Sequence, residues 1–313
     1  MDKICVGVDI GGTSVKIGFF TENGENLHKW EIATRKENGG VYILPDVANS
    51  ILETLDDKDM DIDDVIGIGI GVPGPVVHDE VVVECVNLGW GRTDVVSIMR
   101  SLTGIDNIKA ENDANVAALG EMWKGGGQGY NSLVLVTLGT GVGGGIISDG
   151  KILTGSNGAA GEIGHITVNF NESVACNCGK KGCLEQYASA TGVVNETKKA
   201  LAASNAESVL RGKEHLSAKA IFDAAKHGDA FASQMVENLC EILGKTLAHI
   251  AHVVDPQVFV IGGGVSKAGQ MLTDRILAYY NDNVMLALKD RDFRLAKLGN
   301  DAGIYGSARL ILE

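Results

Sequence analysis

Nowhere do the 313 residues hold an apolar run near the roughly 20 needed to span a bilayer, which excludes an integral helical membrane protein. A basic excess is missing as well. With 27 Lys and Arg against 40 Asp and Glu, the formal net charge is −13, and both nucleic acid and an anionic membrane would ask for a basic patch instead. Solubility accounts for the acidity. The opening MDKICVGVDIGG reads as a strand and a Gly turn, not as a signal peptide, so a cytoplasmic protein is expected. Low-complexity tails and long linkers are absent, and proline is scarce, with 4 against 42 glycines. The glycines cluster behind apolar runs, which means tight turns at strand ends, where ligands are often cradled. A hydrophobic share of 45% supports ordinary packed cores, and the length suits two domains.

The densest chemistry lies at residues 162–185, EIGHITVNFNESVACNCGKKGCLE. Cys176, Cys178 and Cys183, in the pattern Cys-x-Cys-x4-Cys with His165 upstream, supply the three sulfurs and one nitrogen that tetrahedral Zn2+ accepts. No coordination position is left for a reacting water, so such a site is structural. It would also fix where the flanking Glu162 and Glu185 point. Buried core thiols or a redox trio are the alternatives; the spacing and the turn-forming Gly179 and Gly182 favour zinc. Cys5, Cys85 and Cys240 stand in apolar stretches and are expected as buried, reduced thiols.

Along the chain, residues 4–9 (ICVGVD) read as a strand, Gly11-Gly12-Thr13 as its turn and residues 15–20 as the returning strand of a hairpin. Residues 133–138 (LVLVTL), the turn Gly139-Thr140-Gly141 and the Gly run into Ile146-Ile147 repeat that arrangement about 125 residues later, which predicts two related lobes. A helix is expected over 47–55, an acidic linker over 56–64, and a buried strand over 65–72 that stops at Pro73-Gly74-Pro75. Residues 81–86 read as strand, 87–90 as loop, 93–102 as helix and 108–111 as a short strand. Asn112-Asp113 then stands where the N-cap of a helix over 114–123 belongs. Helical spacing returns at 188–210 and 217–254. A strand at 258–261, the loop Gly262-Gly263-Gly264, a helix over 270–280 and a closing helix over 302–312 complete the chain.

Two stretches, 69–74 and 139–144, match G-x-G-x-x-G, but strand-like residues follow both, which rejects a dinucleotide fold. A Walker loop at Gly244-Lys245-Thr246 fails because Leu239 occupies the required glycine position. The two Gly/Thr hairpins suit phosphate better: glycines let backbone N–H groups approach, and Thr13 and Thr140 add hydroxyl donors. Asp9 is the candidate to hold Mg2+, directly or through water. Either turn alone is more simply a plain hairpin, and it is their pairing that favours phosphate. Asp113 has an obvious structural use at a helix start, where the dipole favours a carboxylate. Its functional reading is acceptance of the proton of an attacking hydroxyl in phosphoryl transfer, which needs positioning more than a strong base. Asn87, Asn112, Glu162, His165 and Glu185 would supply the hydrogen bonds of a polyhydroxyl ligand.

Together these stretches resemble the ROK family of bacterial sugar kinases, within the hexokinase/actin-like superfamily, and most of all its Gram-positive-type glucokinase branch. The resemblance runs essentially full length. It rests on VDIGGTSVKIG (8–18), GVPGPV (71–76), NLGW (87–90), ENDAN (111–115), LGTGVGGGI (138–146), GEIGH (161–165), CNCGKKGCLE (176–185) and GGGVS (262–266).

The fold this implies is α/β: a two-lobed hexokinase/actin-like (ribonuclease H-like) ATPase fold with a structural zinc loop. Residues 1–115 plus 301–313 would form the small lobe and 116–300 the large one, closing over a cleft to exclude water. The implied activity is that of an ATP:hexose 6-phosphotransferase, with Asp113 as base on the 6-hydroxyl of glucose. Asn112, Glu162, His165 and Glu185 match sugar-binding positions, with Asn87 and Gly74 as additions. Gly11, Gly12, Thr13, Gly139, Thr140 and Gly141 match phosphate-binding ones, Asp9 and Lys16 join the nucleotide site, and Gly262, Gly263 and Gly264 lie where the family holds adenosine. Zinc would sit on His165, Cys176, Cys178 and Cys183, so His165 would ligate with one nitrogen and bond the sugar with the other.

Hexose and ATP with Mg2+ are the implied partners, with no nucleic acid and no membrane, in a homodimer or tetramer. Kinases for N-acetylmannosamine, N-acetylglucosamine or fructose are the nearest alternatives, separated by room near the sugar 2-position. The family's transcriptional repressors read DNA through an N-terminal helix-turn-helix, for which no room is expected ahead of a strand at residue 4. An actin-like ATPase that binds no sugar would keep both phosphate hairpins but has no need of Glu162, Glu185 or the zinc loop.

Overall fold

The computed structural model describes residues 3–312. Apolar runs set the strands. β1 (Ile4–Ile10) is buried along almost its whole length, and β2 (Ser14–Thr21) pairs with it antiparallel, Asp9 standing opposite Lys16. β3 (Asn26–Ala33) adds to β2; its alternation of half-buried and exposed residues marks a strand with one wet face. β4 (Val65–Val72) runs parallel to β1 and is buried over its last six residues, as expected for an inner strand covered on both sides. Short strands β5 (Val76–Val77), β6 (Val81–Val82) and β7 (Thr93–Asp94) make a small antiparallel sheet, and β8 (Ile108–Asn112) returns to lie parallel beside β4.

In the second half, β9 (Leu133–Leu138), β10 (Val142–Ser148), β11 (Lys151–Ile152), β12 (Val258–Gly262) and β13 (Asp292–Leu295) build another sheet, with β12 parallel to both β9 and β13. Among the described residues the two large sheets have the orders β3-β2-β1-β4-β8 and β11-β10-β9-β12-β13. Numbered within its own half, each sheet reads 3-2-1-4-5. The repeat glimpsed in the two Gly/Thr turns is therefore a repeat of the whole sheet topology.

Helices fill the connections. Ile43–Asp57 buries Ile43, Leu44, Val47, Ala48, Ile51 and Leu55 on one face, the spacing of an amphipathic helix. Val95–Thr103 starts on Asp94, and Asp113–Lys124 on Asn112, each with a side-chain oxygen accepting from helix amides. The last helix, Ala302–Leu310, packs on Asp113–Lys124 at backbone distance. A β-carbon at Gly306 would lie 1.6 Å from the Val116 carbonyl oxygen, so no larger residue fits there without moving the helix that begins with Asp113.

The structure departs from the sequence expectations in places. The strand expected over 81–86 shrinks to Val81–Val82 because the Val83 amide donates to Pro75 and Cys85 exchanges backbone hydrogen bonds with Trp90 around a turn. The helix expected over 188–210 ends at Ala203, and the one over 217–254 divides into Ala218–Lys226 and Ala230–Val254. Asp229 makes that division: its carboxylate accepts from the Ala232 amide at 2.8 Å and caps a new helix.

Two compact units result. One takes in the chain up to Asn131, Gly145–Gly161 and the chain from Leu298 on; the other comprises Ser132–Gly144 and Glu162–Lys297. The first unit holds the whole helix Asp113–Lys124, which the expected division at residue 115 would cut; the outer ends of that division, residues 1 and 313, lie outside the described residues. No helix among the described residues is long and apolar enough to cross a membrane.

Candidate active site

In the first unit, the β1–β2 turn is held by the Gly11 amide donating to Ser14 at 2.9 Å and the Thr34 hydroxyl donating to the Gly11 carbonyl at 2.7 Å. Thr13 is left exposed, and a β-carbon on Gly12 would meet nothing within 4 Å. Open space is thus left beside Gly12, which suits the approach of an anion to the turn. Asp9 precedes the turn. Burial, and next the carboxylate of Asp113, push Asp9 up to about 6, against the opposing cation of Lys16. Lys16 itself donates to the Asn300 carbonyl at 2.7 Å. Lys16 and Asp113 therefore both lie within electrostatic reach of Asp9, and the like charge of Asp113 favours a proton on Asp9.

Asp113 opens its helix. Its Oδ1 accepts from the Ala114 amide at 2.9 Å, while Asn112 Oδ1 accepts from the amides of Ala114 and Asn115 at 2.9 and 3.2 Å. Asn112 Nδ2 donates to the Gly74 carbonyl at 3.1 Å, which ties the turn after β4 to the start of that helix. Asn87 is exposed on the single turn Val86–Leu88. Burial and the charge of Asp113 push the neighbouring Cys85 thiol up, while the Leu88 and Asn87 amides pull it down, so this turn lies within electrostatic reach of Asp113. Gly74 and Asn112 are thereby joined at the start of the helix that Asp113 opens, while Asn87 stands on a separate turn. Two residues without a role in the sequence reading belong to the same network. Glu111, 1% exposed, accepts through Oε1 from the Asn112 amide at 2.7 Å and from Asn115 Nδ2 at 3.1 Å, and Asn115 is also 1% exposed. The visible signal was a carboxylate inside a strand that otherwise buries apolar residues.

In the second unit, the β9–β10 turn closes with the Gly139 amide donating to Gly141 at 3.0 Å, and the Gly139 carbonyl accepts from Ala190 at 2.8 Å. Thr140 is exposed. Glu185 Oε2 accepts from the Val142 amide at 3.1 Å, and Oε1 lies 3.6 Å from the Cys176 thiol. A β-carbon at Gly141 would lie 2.0 Å from Glu185 Oε2, so this glycine makes room for the carboxylate. Thr140, Glu185, Cys176, Ser189 and Lys198 line one cavity of about 450 Å³. Gly264 lines another of about 430 Å³ with Ala190, Phe222, Val265 and Lys267, a mostly apolar surround with a single aromatic ring.

His165 joins the carboxylates to the cysteines. Its Nδ1 lies 4.0 Å from Cys176 Sγ and its Nε2 3.9 Å from Glu162 Oε2, so the two ring nitrogens face different partners. The ligand atoms of His165, Cys176, Cys178 and Cys183 all lie within 4.8 Å of one another. Backbone hydrogen bonds fold the intervening loop, Cys176 to Lys180 at 2.7 Å and Gly179 to Cys176 at 2.9 Å, and Thr167 bridges to Cys183. Burial, and then the neighbouring thiols, push Cys183 up to about 12. Without a cation it keeps its proton; a bound metal ion would take the proton's place and release it. Three thiols and an imidazole suit a soft, tetrahedral ion such as zinc and not the oxygen-seeking Mg2+ or Ca2+.

Two mixed α/β sheets of one topology, each opening with a Gly/Thr hairpin, together with a carboxylate at a helix start and a thiol–imidazole loop, define the class of protein. The model of the ROK family matches residues 5–313, and the chain belongs to that family. It is 44% identical over 317 aligned positions to a glucokinase of Halalkalibacterium halodurans, covering 100% of this chain and 96% of the relative. A glucokinase of Thermotoga maritima is 35% identical over 98% of this chain and 97% of its own length. Among solved structures, a ROK family glucokinase from Streptomyces griseus in complex with glucose and AMPPNP is 33% identical, with a TM-score of 0.74 over 98% of both chains. The fold is that of the ROK sugar kinases.

Proposed function

We propose that this chain is an ATP-dependent glucokinase of the two-lobed hexokinase/actin-like fold, transferring the γ-phosphoryl group of ATP to the 6-hydroxyl of glucose. The observation that carries the reading is the double-faced imidazole of His165, one nitrogen toward the cysteines and the other toward Glu162. A structural ion on one side of the ring would orient the other side for a sugar hydroxyl.

In this reaction the sugar O6 attacks the γ-phosphorus, the O6–H proton passes to Asp113, and the bond from that phosphorus to the bridging oxygen of ADP breaks. Asn112, Glu162, His165 and Glu185, with Asn87 and the backbone at Gly74, hydrogen-bond the remaining hydroxyls. The turns Gly11-Gly12-Thr13 and Gly139-Thr140-Gly141 hold the phosphates. Asp9 and Lys16 flank the first turn, where Asp9 would hold Mg2+, which neutralises charge developing on the phosphates. Gly262, Gly263 and Gly264 receive adenosine, an assignment supported by the apolar cavity beside Phe222. His165, Cys176, Cys178 and Cys183 would hold zinc, whose contribution is to pin the loop.

A coupled assay over glucose, mannose, fructose, N-acetylmannosamine and N-acetylglucosamine tests the reading. Glucose should give the highest kcat/KM; a clear preference for an N-acetylated sugar would transfer the chain to another branch of its family.

A further inference from the structure

We propose that Glu111 is a positioning residue for Asp113, an inference that rests on the phosphoryl-transfer reading above. Glu111 is a carboxylate with 1% of its surface exposed, in β8 between the buried Ala110 and the cap residue Asn112. Taking a carboxylate out of water costs several kcal/mol unless hydrogen bonds compensate. Here Oε1 accepts two hydrogen bonds, from the Asn112 main-chain amide at 2.7 Å and from Asn115 Nδ2 at 3.1 Å. The two donors bracket Asp113, one residue before it and two after it.

Capping does not explain the arrangement. Asn112 Oδ1 already accepts from the Ala114 and Asn115 amides, and Asp113 Oδ1 accepts from Ala114 as well, so the helix start is satisfied without Glu111. What Glu111 adds is a fixed direction for the peptide that leads into Asp113, together with a hold on the first helical turn from beneath. Asn112 carries the same constraint outward through its bond to the Gly74 carbonyl. Charge-assisted bonds are shorter and stiffer than neutral ones, and they suit a carboxylate that must meet a reacting hydroxyl at a set angle. Glu111 touches no substrate in this scheme and acts through Asp113.

The test measures kcat, both KM values and the unfolding midpoint for Glu111→Ala and Glu111→Gln, alone and combined with Asp113→Asn. Glu111→Ala should lower kcat about 100-fold with both KM values changed less than about threefold, the cost expected of a misaimed catalytic group. Glu111→Gln keeps an acceptor oxygen and should recover about tenfold of that loss, since the neutral bond is weaker but still directional. In the Asp113→Asn background neither change should slow the enzyme further, because residues acting as one unit are not additive. A normal kcat in either single variant, or losses that multiply fully in the Asp113→Asn background, would overturn the proposal. Should Glu111→Ala not fold, the isosteric Glu111→Gln carries the test alone. Failure of the underlying reading appears separately, as a wild type that does not phosphorylate glucose or an Asp113→Asn variant of normal rate. Glu111 would then have no base to position, and the proposal would fall with that reading.

Discussion

Single side chains here are placed by backbone groups more than by one another. Glu185 is aimed by the Val142 amide, and only the missing β-carbon of Gly141 leaves room for its Oε2. Gly141→Ala should therefore displace Glu185 and raise the KM for glucose by roughly 10-fold or more, as loss of one hydrogen bond to a charged group would predict, and the KM for ATP should rise too because the same turn is assigned to the phosphates. An unchanged sugar KM would remove Glu185 from the sugar contacts. Asp9 allows a test through pH. Its pKa is about 6 in the folded chain against the ordinary 3.8, so the native state holds that proton more tightly than the unfolded chain does. Stability from this residue is full below about pH 4 and is lost as pH rises through about 6. In Mg2+-free buffer at pH 8, Asp9→Asn should stabilise the chain by about 1–2 kcal/mol, the shift being discounted for the partial exposure of the side chain. The gain should vanish below about pH 4. A variant less stable at pH 8, or a gain that ignores pH, would contradict this placement of the charge.

Among the elements, the loop of residues 162–185 ties the most chemistry to the least regular backbone. It contains little regular structure beyond the turn Ile163–His165, and a few backbone bonds gather four side chains able to hold a metal ion. Cys178→Ala should release the metal and lower the affinity for glucose while nucleotide binding is kept, because Glu162, His165 and Glu185 all flank the loop. Elemental analysis of the wild type should find one zinc per chain. A metal-free wild type with normal activity would refute the loop's role. Motif density made this element readable from the sequence, as did the paired Gly/Thr turns and the Asn112 cap, since each depends on neighbours in sequence. Elements that depend on distant partners were not readable. β3 (NLHKWEIA) alternates too weakly to stand out and is fixed by β2, while β13 has four residues and exists through its pairing with β12. The break at His227-Gly228-Asp229 was hidden because helical spacing continues on both sides of it. Glu111 could be seen in the sequence, but its burial and its two donors could not.

At the scale of the whole molecule, duplication of the 3-2-1-4-5 sheet supplies two hairpin turns of one design, and the residues added to the second copy provide the thiol loop and the acidic groups around it. The chain matches the family over residues 5–313 and is 44% identical to a glucokinase of Halalkalibacterium halodurans. That Asp113 takes a proton from glucose as phosphate arrives is the proposal on which the proposed reaction turns. Its most direct test is to follow ADP and sugar phosphate together in the wild type and in Asp113→Asn, with ATP, Mg2+ and glucose. One glucose 6-phosphate should form for each ADP, and the variant should form both about 10² to 10⁴ times more slowly. Equal rates in the two proteins, or ADP released without sugar phosphate, would contradict it.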